Sequence, residues 1–268
     1  MRLILAALAV SLGLTAAATA QDADLVPLRT GEDSRGWEGV GRLDIGTSGF
    51  CTAALIRDRL LLTAAHCVYD QDGRPIEAAE LTFNAGLRGG RAEAVRGITR
   101  YVAHPGYVWT GRTARGSNVA MDIAVLELDQ PIRRMRIQPF DVAADPLVGD
   151  RIGVVSYGRD RANDASLQDV CEVLGRDGGV VVMTCAVEHG SSGAPVFTLQ
   201  DGKPRIVSVV SAMAEMGAQH VSLGTSLNQP LTELLRHFES IGPARPGGTQ
   251  RVLTLSERND TGAKFVRP

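Results

Sequence analysis

Between Val40 and Ser226 the chain is cut into short apolar, β-compatible runs, each closed by turn residues. Runs over 40–45, 50–56 and 60–63 follow one another closely, the last two joined by Arg57-Asp58-Arg59. Runs over 81–85 and 94–102 flank Gly86-Leu87-Arg88-Gly89-Gly90, and 123–128 stops at Gln130-Pro131. After a Pro- and Gly-containing crossing over 133–150, the pattern resumes at 150–157, 170–174, 180–187, 195–199, 205–211 and 221–226. Strands this short and this closely spaced predict an all-β barrel or sandwich architecture. Only 229–240 breaks the pattern: Leu231, Leu234, Leu235 and Phe238 recur at helical spacing, which predicts a short C-terminal helix packed on the second half.

The ends read differently. Arg2, an apolar run from Leu3 to Leu14 and Ala18-Thr19-Ala20 make a signal peptide over 1–20 cleaved after Ala20. The apolar run is short for a spanning helix, so the mature chain is expected to be exported, secreted or periplasmic, with no membrane span. Residues 21–36 are polar, an N-terminal arm or a propeptide, and 242–268 opens as a Gly- and Pro-rich linker and tail. With 28 Lys and Arg against 30 Asp and Glu, no basic surface asks for nucleic acid. Export also bears on the four cysteines, because an oxidising compartment permits disulfides. Cys51 and Cys67 flank one apolar stretch and Cys171 and Cys185 another, so local pairing is expected. A metal site is the alternative, but no CxxC pair or Cys/His cluster supports one.

Three stretches carry chemistry. In Leu61-Leu62-Thr63-Ala64-Ala65-His66-Cys67 a strand ends in small residues and presents a histidine. In Ala120-Met121-Asp122-Ile123-Ala124 an aspartate enters an apolar strand, where a buried carboxylate needs a partner. In Gly190-Ser191-Ser192-Gly193-Ala194-Pro195 two serines lie among small residues that allow a tight backbone with amides aimed at one point. Serine needs a base to become a nucleophile, histidine titrates near neutrality, and a buried aspartate fixes the imidazole tautomer. The order His, Asp, Ser differs from that of subtilisins and α/β-hydrolases.

These stretches, with Phe50-Cys51-Thr52-Ala53-Ala54-Leu55-Ile56 and His104-Pro105-Gly106-Tyr107, resemble the chymotrypsin/trypsin-like serine proteases over 37–241. The resemblance implies two antiparallel β-barrels, about 37–132 and 147–241, with the active site between them. It implies His66 as general base, Asp122 as its orienter and Ser192 as nucleophile, with Ser191 the rival serine. The backbone N–H groups of Gly190 and Ser192 become the oxyanion hole. Ser208 becomes the serine that supports the aspartate and borders the substrate cleft, and Cys51–Cys67 the disulfide beside the histidine. The implied activity is endopeptidase hydrolysis of a polypeptide substrate by a monomer, with no cofactor and no metal; Asp70 and Asp72 read as surface carboxylates rather than a Ca²⁺ loop.

The departures are as informative. Where trypsin has an aspartate that binds a new N-terminus, this chain has Ser191, and no Ile-Val-Gly-Gly precedes Val40. That resembles the bacterial glutamyl-endopeptidase-like branch. The pocket-strand histidine of that branch is replaced by Val207, and Ala186 and Val187 stand near the trypsin pocket base; neither Glu nor Arg/Lys preference follows. His189 and His220 read as surface residues. The rival function is a protease-like binding protein of the bacterial envelope, which would not need all three triad residues; a structural envelope protein binding through its tail is the third.

Overall fold

A computed structural model describes residues 25–111, 116–200 and 202–242. The signal peptide read over 1–20, residues 21–24 of the arm and the tail beyond 242 lie outside the described residues. Strand β1 (Val26–Pro27) is followed by six strands that close on themselves: β2 (Val40–Ile45), β3 (Gly49–Arg57), β4 (Leu60–Thr63), β5 (Leu81–Ala85), β6 (Ala94–Ala103) and β7 (Ala124–Leu128). Their order round the barrel is β2-β3-β4-β7-β6-β5. The period-2 rule is plain in β5, where Leu81, Phe83 and Ala85 are buried and Thr82 and Asn84 half-exposed. Gly41 of β2 leaves the space that the Phe83 ring occupies; a Cβ there would lie 2.4 Å from the ring.

The second half holds β8 (Arg151–Gly158), β9 (Arg161–Asp177), β10 (Val180–Met183), β11 (Pro195–Gln200), β12 (Lys203–Met216) and β13 (Gln219–Ser226). They run β9-β10-β13-β12-β11-β8, and β9 pairs with β8 as well, so the sheet returns on itself. The fold is two antiparallel barrels, as the resemblance implies. Strand β9 starts at Arg161, well before the expected 170, because its polar first half is paired with β8 rather than buried by composition. The arm is not loose over its described part: Val26 and Pro27 pair with Leu167 and Ser166 of β9, and Leu28 is buried.

The C-terminal helix corrects one expectation. A helical turn at Gly116–Val119 (α1) is followed, after β13, by helix α2 (Asn228–Ser240). Helix α2 crosses back and packs on β6 and β7 of the first barrel, not on the second half. Leu231, Leu234 and Phe238 form its buried stripe. Arg100 of β6 explains the docking: its guanidinium lies 3.7 Å from the Phe238 ring centroid, pairs with Glu127 and donates to the Phe238 carbonyl. Asp145 accepts from the N–H groups of Leu227 and Asn228, satisfying donors at the helix start that no helical carbonyl can reach.

Candidate active site

His66 sits in a single 3-10 turn, Ala65–Val68, that leaves β4. Ala64 and Ala65 are fully buried, and their small side chains let the turn press against the barrel wall. The Cys51–Cys67 disulfide, with a Cα–Cα distance of 6.2 Å, ties this turn to β3. In the second barrel Cys171 of β9 is joined to Cys185, just beyond the neighbouring β10, Cα–Cα 5.0 Å. Asp122 lies between α1 and β7, 3% exposed. Its Oδ2 is 2.7 Å from His66 Nδ1, and its Oδ1 accepts the His66 backbone N–H at 2.9 Å. The carboxylate therefore fixes both the ring and the backbone that carries it, and places the proton on Nδ1. Nε2 is left as the basic nitrogen.

Burial alone would lower the imidazole pKa. The charge of Asp122 and its hydrogen bond act the other way and prevail, so His66 titrates above its ordinary 6.5.

A third contact to Asp122 was not read from the sequence. Ser211 Oγ donates to Asp122 Oδ2. Ser208, expected in that role, is fully buried and donates instead to the Thr225 carbonyl at 2.8 Å. Ser211 sits at a bulge. Val210 pairs with Gly224 and Ala212 with Leu223, so Ser211 is the extra residue of β12. A bulge bends its strand and re-aims a side chain, here toward Asp122. Ser208 lies in the regular part of the ladder, opposite Ser226. The same three-residue offset moves the cleft valine from Val207 to Val210.

The loop over 190–195 is held from both barrels. Thr52 of β3 donates its N–H to the Ser192 carbonyl at 2.8 Å and its Oγ1–H to the Gly190 carbonyl at 2.9 Å. Gly193 is packed so tightly, at φ +78°, that a Cβ would meet Thr63 Oγ1 at 2.0 Å. Ser191 N–H closes a turn onto the Glu188 carbonyl at 2.9 Å. Among the described residues, no protein acceptor takes the N–H of Gly190 or of Ser192. Ser191 is wholly buried and its hydroxyl lies among Ser156, Tyr157 and Arg161; Ser192 faces the cleft. Of the two serines, only Ser192 can meet a ligand.

His66, Asp122 and Ser192 line one cleft of about 1090 Å³ between the barrels. One wall is Tyr69, Tyr107 and Trp109, with Tyr69 stacked on Trp109 at 6.3 Å and tilted on Tyr107 at 5.7 Å. The other runs along Val187 and Val210–Met213. His189 stands exposed at its rim, and His220 is on the surface near Glu215. Cys51, His66 and Cys67 cluster within 4.8 Å, but both sulfurs are spent in the disulfide and offer no thiolate. Asp70 accepts from the N–H groups of Asp72 and Arg74, and Arg74 pairs with Asp72 at 3.0 Å; these carboxylates build their own loop.

The trypsin family model matches residues 31–228 of the chain. Among solved structures, a Glu endopeptidase determined in complex with MPD is similar in fold, with a TM-score of 0.64 at 17% identity over 81% of this chain and 98% of that one. A closed barrel, a second sheet that returns on itself, a cleft between them and a family match across most of the chain agree: the protein is a member of the trypsin family of chymotrypsin-like serine peptidases.

Proposed function

We propose that the protein is an exported serine endopeptidase that works through an acyl-enzyme, with His66, Asp122 and Ser192 as its triad. The observation that carries this reading is the double hold of Asp122 on His66, at 2.7 Å to Nδ1 and 2.9 Å to the backbone N–H, in the cleft that Ser192 enters. Ser192 Oγ attacks the scissile carbonyl and gives its proton to His66 Nε2. The new oxyanion is met by the N–H groups of Gly190 and Ser192, which have no other acceptor among the described residues. His66 then protonates the departing amine, and water, activated by the same nitrogen, frees the acyl group. Ser211 Oγ–H donates to Asp122 and helps hold its side chain in place.

The wall nearest the nucleophile loop offers Val187, Val210, Ala212 and Met213, so an uncharged apolar residue is the favoured side chain before the cut. Glutamate preference would need a cation facing that wall; Val210 holds the strand position, and besides His66 the basic residues that line the cleft, among the described residues, are Arg159 and His189, with His189 at the rim. Cleavage of a peptide library by the mature protein and by Ser192→Ala tests both points. The reading expects cuts after apolar residues that vanish in Ser192→Ala; cuts after Glu overturn the preference, and cuts that persist in Ser192→Ala overturn the nucleophile. A protease-like binding protein would give no cuts with either.

A further inference from the structure

The turn that carries Gly190 has an unusual support. It spans Glu188 to Ser191, closed by Ser191 N–H on the Glu188 carbonyl, with Gly190 at φ +102° in its third position. A positive φ at that position is the mark of a type II turn. Types I and II differ by a flip of the central peptide, here His189–Gly190, so the turn type decides which way the Gly190 N–H points. A side chain at Gly190 would strike the Phe50 ring at 2.5 Å. The two ends of this turn are gripped by one residue. Arg161, at the start of β9, places Nε 2.9 Å from Glu188 Oε1, in an angled ion pair rather than a straight hydrogen bond. Its Nη2 donates to Ser191 Oγ at 3.2 Å and to Ser156 Oγ at 2.9 Å, and Nη1 donates to the Ser156 carbonyl. The Arg161 side chain is only 14% exposed. A buried guanidinium is costly unless its partners are fixed. Its planar fork holds several acceptors in a set geometry that a lysine cannot reproduce. Gly158 completes the arrangement: a Cβ there would fall 2.0 Å from the Glu188 carboxylate, so the glycine leaves the path by which Glu188 reaches Arg161. The neighbouring Arg159 N–H also joins the loop, on the His189 carbonyl at 2.8 Å.

We propose that Arg161 is a positioning residue that clamps the first and last residues of the Glu188–Ser191 turn, and so holds the Gly190 N–H toward the developing oxyanion without help from a free N-terminus. The inference rests on the peptidase reading above. Among the described residues, the partners of the Ser191 hydroxyl are Ser156, Tyr157, Glu188 and Arg161, none of them in the arm, which is engaged with β9 through Val26 and Pro27.

The test uses the mature protein, Arg161→Met, Arg161→Lys and Glu188→Gln. A peptide substrate gives kcat and KM, and a peptide boronate, which forms a tetrahedral adduct on the nucleophile, reports the oxyanion site directly. Losing one oxyanion donor costs about 10²–10³ in kcat. Arg161→Met is expected to lower kcat about 100-fold with KM within about threefold, and to weaken the boronate by a similar factor, while a cleaved product peptide binds unchanged. Arg161→Lys should recover only part of the loss. A wild-type chain extended at its N-terminus should keep its full kcat. A folded Arg161→Met with unchanged kcat, a kcat loss without loss of boronate affinity, or an extended chain that is inactive would each overturn the clamp. Should Arg161→Met not fold, Arg161→Lys and Glu188→Gln decide by the same two readouts. A wild-type protein that forms no boronate adduct overturns the peptidase reading itself, an outcome distinct from equal adducts in wild type and variant.

Discussion

His66 is caught between two environments of opposite sign. Burial favours the neutral ring and Asp122 favours the imidazolium, and the carboxylate prevails. The base must be neutral to accept the serine proton, so kcat/KM should rise with pH through a midpoint above 6.5. Asp122→Asn removes the raising causes and leaves the burial. The midpoint should then fall below 6.5, and kcat should drop about 10⁴-fold, as is typical when a triad aspartate loses its charge. A pH–rate profile of both proteins checks this; a midpoint that does not move would contradict the assignment of the limb to His66. The linkage to stability follows the same sign. A raised pKa contributes stability while the imidazole is protonated, and that contribution fades as pH rises through the folded value. His104 works the other way. Its ring is buried, its Nδ1 accepts the Gly106 N–H at 3.0 Å, and burial, against the charge of Glu233, lowers its pKa. Its contribution is present above its unfolded pKa and is lost as the pH falls and the ring is protonated.

At the level of elements, the site depends on where strands end and where they bulge. His66, Asp122 and Ser192 were legible because each sits where an apolar run meets small residues. Thr52, Ser211 and Arg161 were not. Thr52 matters through its backbone and one hydroxyl, and Thr in a strand looks the same whether it bridges two barrels or not. Ser211 sits at a one-residue bulge, and register shifts leave no trace in composition; the resemblance alone pointed to Ser208. Arg161 carries no signal of its own in the sequence, since burial of a polar segment by sheet pairing is a tertiary event. Two predictions belong here. Gly193→Ala would force a Cβ into Thr63 Oγ1 and the Thr52 carbonyl, displacing Ser192. A shift on the order of 1 Å costs ~100-fold in rate, so kcat should fall at least that far. Replacing Cys51 and Cys67 together by Ala opens a link of sequence separation 16. Such a loop is worth about 3 kcal/mol, and the loss should appear as a Tm lower by roughly 6–12 °C, with kcat reduced because the His66 turn is freed.

Across the whole molecule, the barrels are joined by more than the crossing between them. Thr52 of the first holds the nucleophile loop of the second, and α2 leaves the second to cover β6 and β7 of the first. The two-barrel plan followed from the resemblance, and its strand rhythm was visible in the sequence. The docking of α2 was not, because an amphipathic stripe says that a face is buried and not against what. Phe238→Ala should cost about 3 kcal/mol, as for other buried aromatics. A Tm fall of roughly 6–12 °C with kcat/KM near wild type would show that the helix braces the fold and not the chemistry. The central claim is that one serine, made nucleophilic by His66 and Asp122, does the work. Its most direct test is labelling of the mature protein by a fluorophosphonate, followed by intact-mass and peptide mapping. The account predicts one adduct per chain, on Ser192, formed far more slowly in His66→Ala and absent in Ser192→Ala; labelling on Ser191, or none in the wild type, would contradict it.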